Sequence, residues 1–155
     1  MSDSSANPPY AATAVQKGAL VFGIVFLLVG IAGFIPGLTT GSISGAGSHS
    51  MAMLLGLFQV SVLHNIVHLL FGIVGVVAAR SAGGSRSYLI IGGIVYAVLW
   101  IYGLFTANHM SGANFVPLNT ADNWLHLVLA VAMILLGFVL PRSRSLRDDR
   151  IRTVG

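Results

Sequence analysis

The chain has 155 residues, of which 55% are hydrophobic and only 8% charged, with a formal net charge of +4 and no cysteine. With a mean hydropathy of +0.88, it lies far from the roughly one-quarter charged residues of a soluble domain, which excludes an ordinary water-soluble fold and predicts an integral membrane protein. The lack of cysteine excludes a disulfide framework and thiolate metal sites, leaving nitrogen and oxygen donors for any metal.

Residues 1–17 are polar, carry Pro8-Pro9 and read as a disordered N-terminal lead. The membrane domain then runs over 18–140. Its first span is expected at about 18–35, closed by Pro36-Gly37. A signal peptide is the rival reading, but the run is long for one and lacks a small-x-small cleavage site. Residues 37–50 are rich in Gly, Ser and Thr without Lys, Arg, Asp or Glu, as in a flexible outer connection. Residues 51–60 are apolar, and their conformation is open between an interfacial helical turn and other forms.

Ser61 is a suitable N-cap for a second span at about 62–79, which stops at Arg80. A tight cytoplasmic turn is expected over 81–87, then a third span at about 88–105 bearing Tyr88, Tyr96, Trp100 and Tyr102. Asn119 or Thr120 caps a fourth span at about 120–140, followed by a basic cytoplasmic tail over 141–155. The cations cluster before the first span, in the second connection and in this tail. That distribution is a topology signal placing both termini in the cytoplasm; nucleic acid is not an implied partner, and the lipid bilayer is.

The first and third spans share Gly23-Ile24-Val25-Phe26 and Gly93-Ile94-Val95-Tyr96, and Gly33 matches Gly103, all at an offset of 70. The second and fourth share an ionisable residue, Asn and then His, as His64-Asn65-x2-His68 and Asp122-Asn123-x2-His126, at an offset of 58. The fold class expected is therefore all-α: a four-transmembrane-helix bundle of two tandem two-helix repeats related by an axis along the membrane normal.

Residues four apart share a helix face, so each copy of the motif stacks two polar groups toward the outer leaflet. Asp122 is the one acidic residue away from the termini. His64, His68, Asp122 and His126 together suit a single transition metal, Zn, Cu or Fe, with Asn65 and Asn123 hydrogen-bonding the ligands. The alternative is an interhelical polar lock in which His64 donates to Asp122. A third reading makes His68 and His126 the axial pair of a haem, and a fourth a proton path. Gly23, Gly30 and Gly37 suggest close helix packing, and His49 and His109 lie in outer loops.

Catalysis has little support: Glu is absent, and there is no Gly-x-Ser-x-Gly elbow, phosphate loop or His-Glu-x2-His motif. A transport path through four spans would call for a homo-oligomer. The pattern Leu57-Phe58-x-Val60-x3-His64-Asn65-x2-His68-Leu69, followed by Ala113-Asn114-Phe115-x-Pro117-x-Asn119-x2-Asp122-Asn123-x2-His126, resembles a bacterial membrane-protein family called domain of unknown function 4383. The resemblance implies a four-span protein of the bacterial plasma membrane and supplies no activity.

Overall fold

Thr13 starts the first helix earlier than its hydropathy suggests. Its hydroxyl accepts from the Gln16 amide (3.3 Å) while the Gln16 carboxamide oxygen accepts from the Thr13 amide (2.9 Å), a reciprocal cap. Helix α1 thus spans Ala14–Ala32, beginning inside what sequence alone assigns to the lead. The computed structural model describes residues 9–47, 49–109 and 113–143. The start of the expected lead (1–8) and the tail from Arg144 onward lie outside the described residues.

The chain after α1 corrects the all-α expectation. Strands β1 (Thr39–Thr40), β2 (Ala52–Leu54) and β3 (Phe58–Val60) form an antiparallel sheet in that order. Leu55 and Gly56 hold positive φ (54° and 68°), the twist a tight hairpin turn needs, and the Leu57 amide closes it on the Leu54 carbonyl at 3.0 Å. Ala52, Leu54 and Val60 are buried against Val29 and Ala32, so the sheet sits over the end of α1.

Helix α2 covers Val62–Ala78, with the Ser61 hydroxyl accepting from the His64 amide at 3.1 Å. At about 1.5 Å per residue its 17 residues rise about 26 Å. Helix α3 covers Ala82–Thr106 and absorbs most of the turn expected at 81–87. The reason is a second serine cap: the Ser81 hydroxyl accepts from the Gly84 amide (3.0 Å), and the Ser85 hydroxyl donates to the Ala78 carbonyl (3.0 Å). A Cβ at Gly84 would meet the Ser81 hydroxyl at 2.9 Å, so glycine there is an accommodation to the bend. Helix α4 covers Thr120–Val139. Among the described residues α1, α3 and α4 are long and apolar enough to cross a membrane, and α2 is a shorter apolar helix.

Helix α1 packs chiefly on α2 and α3 chiefly on α4. The inward faces are stripes at helical spacing: Ala19, Gly23, Phe26 and Gly30 on α1, and Asp122, Asn123, His126, Ala130, Met133 and Gly137 on α4. The outward faces are bare aliphatics such as Leu28, Leu70, Ile91 and Val128, each more than half exposed, as lipid contact requires. The Val15 amide donates to the Pro141 carbonyl and the Ala11 amide to the Ala79 carbonyl, so the start of α1 and the ends of α2 and α4 meet at one end, opposite the sheet.

Candidate functional site

Three of the four proposed ligands line one small cavity between the helix pairs. His64, His68 and His126 share it with Tyr96, Leu99 and Val116, and its volume is about 60 Å³. All three imidazoles are buried. The His64 and His68 rings stack nearly parallel (9°) with centroids 4.5 Å apart. The His68 Nδ1 lies 3.0 Å from the His64 carbonyl. A carbonyl only accepts, so that bond puts the proton on Nδ1 and leaves the Nε2 lone pair of the neutral ring free. Nδ1 of His64 and Nδ1 of His126 are buried and have no partner among the described residues.

Ring-to-ring contacts extend from this cavity into the core. Phe26 and Tyr96, 70 residues apart, stack on each other at 5.4 Å with 4° between planes. His68 meets Phe26 edge-on at 5.7 Å and 66°, and His126 meets Tyr96 at 5.3 Å and 61°. Phe71 stands edge-on to both rings of the stack. Phe26 is not among the residues that the sequence suggests for the site, although its place in the repeated Gly-Ile-Val-aromatic motif, opposite Tyr96, was the available signal.

Asp122 does not join the histidines. It is the third residue of α4, where a carboxylate reaches back to its own cap: Oδ2 accepts from the Asn119 amide (3.0 Å) while Asn119 Oδ1 accepts from the Asp122 amide (3.0 Å). The same Oδ2 accepts from the Gln59 amide of β3 at 2.9 Å, and the Asn119 carboxamide donates to the Leu57 carbonyl at 2.8 Å. The expected His64 to Asp122 bond is replaced by one from α4 to the sheet. Among the described residues no group of three or more His, Asp or Glu is arranged to hold a metal ion. The cavity, at about 60 Å³, is smaller than the roughly 300 to 1,000 Å³ of typical ligand pockets.

Asn65 and Asn123 are also placed otherwise than expected. A Cβ on Gly33 would lie 2.1 Å from Asn65 Oδ1, and one on Gly103 would lie 2.0 Å from Asn123 Oδ1. Each carboxamide oxygen therefore rests on a bare glycine Cα of the neighbouring helix, a recurring contact of the Cα–H to oxygen type. The side chains join helices instead of orienting imidazoles. Ser61 and Asn119 are caps, as their spacing predicts.

Helical organisation with three apolar helices of membrane-crossing length, closed by polar side chains at the sheet end, defines a membrane protein of the helical type. The family model described as a domain of unknown function, DUF4383, matches residues 16–139, and the chain belongs to that family. No curated protein and no solved structure matches it.

Proposed function

We propose that the protein is a four-span membrane protein of structural or assembly type, in which the repeated polar motif locks the outer ends of two tandem helical pairs. The observation that carries this reading is the double use of the Asp122 carboxylate, at 3.0 Å from the Asn119 amide and 2.9 Å from the Gln59 amide. One side chain both caps α4 and ties it to the sheet that covers α1. The tandem organisation is supported by the Phe26 to Tyr96 stack, the equivalent His68 and His126 edges, and the two glycine to asparagine contacts. Cytoplasmic termini are supported by Lys17, Arg80, Arg86 and Arg142, which flank the end opposite the sheet.

Thermal unfolding in detergent tests the lock. Asp122→Ala leaves two amides without an acceptor and lowers stability by about 2 to 4 kcal/mol, whereas Asp122→Asn, which keeps one acceptor oxygen, loses less. Equal melting of Asp122→Ala and wild type contradicts the reading.

A second reading rests on the three imidazoles of the cavity: one transition-metal ion, Zn, Cu or Fe, held by His64, His68 and His126 once the stacked rings turn apart. Free Nε2 on His68 and unpartnered Nδ1 on the other two are the observations favouring it. Elemental mass spectrometry on gently purified protein and on a His68→Ala/His126→Ala variant tests it. Near-stoichiometric metal lost in the variant supports the site; none in either, after reconstitution with zinc, copper and iron, removes it.

A further inference from the structure

The helix pairs close differently at their outer ends. In the first pair Gly30 allows contact so near that a Cβ there would meet the Leu69 side chain at 2.8 Å and the Asn65 carbonyl at 2.9 Å. Seventy residues on, the position is Trp100, and an indole cannot enter such a contact. Beside it, next to the Gly103–Asn123 contact, the side chains of α3 and α4 leave a groove of about 280 Å³. Its walls include Trp100, Leu104 and Trp124, and its polar groups are Asn108, Thr120 and Asn123. The position equivalent to Trp124 in the first pair is Ile66, so both indoles are particular to the second half.

We propose that this pocket binds the neutral, hydroxyl-bearing headgroup of a membrane lipid. The proposal rests on α3 and α4 crossing the bilayer, independently of the lock and of the histidine cavity. Trp124 and Leu104 are 62% and 57% exposed on the lipid-facing side, so the pocket opens sideways to the bilayer at the depth where amphipathic indoles settle. Its lining holds no Lys, Arg, Asp, Glu or His. The described cations Lys17, Arg80, Arg86 and Arg142 flank the other end of the helices, so a phosphate here would find no counter-charge.

A hydroxyl-rich headgroup meets what is present. Thr120 is exposed at the mouth of the groove, so its hydroxyl is free to donate to a headgroup oxygen. The Asn108 carboxamide donates to the Thr120 hydroxyl at 2.8 Å, fixing that rim. Apolar faces of a glycerol or sugar stack on indole, and the acyl chains stay in the bilayer alongside the exposed leucine. The volume lies near the lower end of ligand pockets.

The two pocket indoles are the whole tryptophan content of the chain, so fluorescence excited selectively in tryptophan reads this site alone. The protein in phosphatidylcholine nanodiscs is titrated with monoglucosyl diacylglycerol, with phosphatidylglycerol at equal mole fraction, and with soluble methyl glucoside. The proposal expects a saturable emission shift with the glucosyl lipid and at least tenfold weaker responses to the anionic lipid and the free sugar. Thr120→Val, an exposed position at the pocket rim, weakens the glucosyl response about fivefold or more with circular dichroism unchanged. Trp100→Gly removes one wall and abolishes saturation while Trp124 still reports. Equal responses to all three probes, a preference for phosphatidylglycerol, or an unaltered titration in both variants overturns the proposal.

Discussion

At Gly33 and Gly103 a hydrogen occupies the spot where any other residue would place a carbon about 2 Å from an asparagine oxygen. Gly33→Ala and Gly103→Ala should each destabilise the protein by about 1 to 3 kcal/mol through overpacking. Shortening the partner, as in Gly103→Ala/Asn123→Ser, should recover part of that loss in thermal unfolding. Similar losses at the two glycines support the tandem organisation, and a loss at one alone counts against it. Leu55 offers the opposite case, since its φ of 54° is a conformation that branched aliphatics rarely take and its side chain is 68% exposed. Leu55→Asn should raise stability by a few tenths to about 1 kcal/mol in the same assay. Both glycines and both asparagines are visible as repeated letters in the sequence. Their contact with each other is not, because it depends on how one helix faces its neighbour.

The elements were legible to the extent that local chemistry decides them. Ser61 and Asn119 announce their helices by side chains that accept an amide three residues on, and the apolar runs give four helices. Thr13-x2-Gln16 is also a cap, but its lack of charge and its place beside a polar lead hid it, and α1 begins four residues before the expected span. The sheet was hidden for a different reason. Residues 52–54 and 58–60 are too short and apolar for alternation to stand out, and Leu55 does not resemble a turn residue. Tertiary cover on the end of α1 makes them strands. Gln59→Pro, which deletes the amide that reaches Asp122, should loosen the hairpin and lower the melting temperature by several degrees; unchanged melting would show that this amide bond contributes little.

For the whole molecule, the fold brings three histidines around one cavity, as their spacing suggests, but gives Asp122 a different task from His64, which stands at the same point of the sequence motif. Spacing shows which residues share a face; it does not show that a carboxylate at the third helical position turns back to the cap and to a strand of the other half. Because the chain has no cysteine, single cysteines can be introduced without background. Cysteine at exposed His49 should react with an impermeant maleimide from outside intact cells, and cysteine at exposed Arg142 should react only after lysis. The reverse pattern would invert the topology.

The lock itself is read most directly by hydrogen exchange at the Gln59 amide, compared between wild type and Asp122→Ala in the same detergent. The account predicts slow exchange in wild type and at least tenfold faster exchange at Gln59 and in the first turn of α4 in the variant, with amides of the α1 and α2 core unaltered. Equal protection of Gln59 in both proteins would contradict it, because the carboxylate would then not be what holds the sheet to the second helical pair.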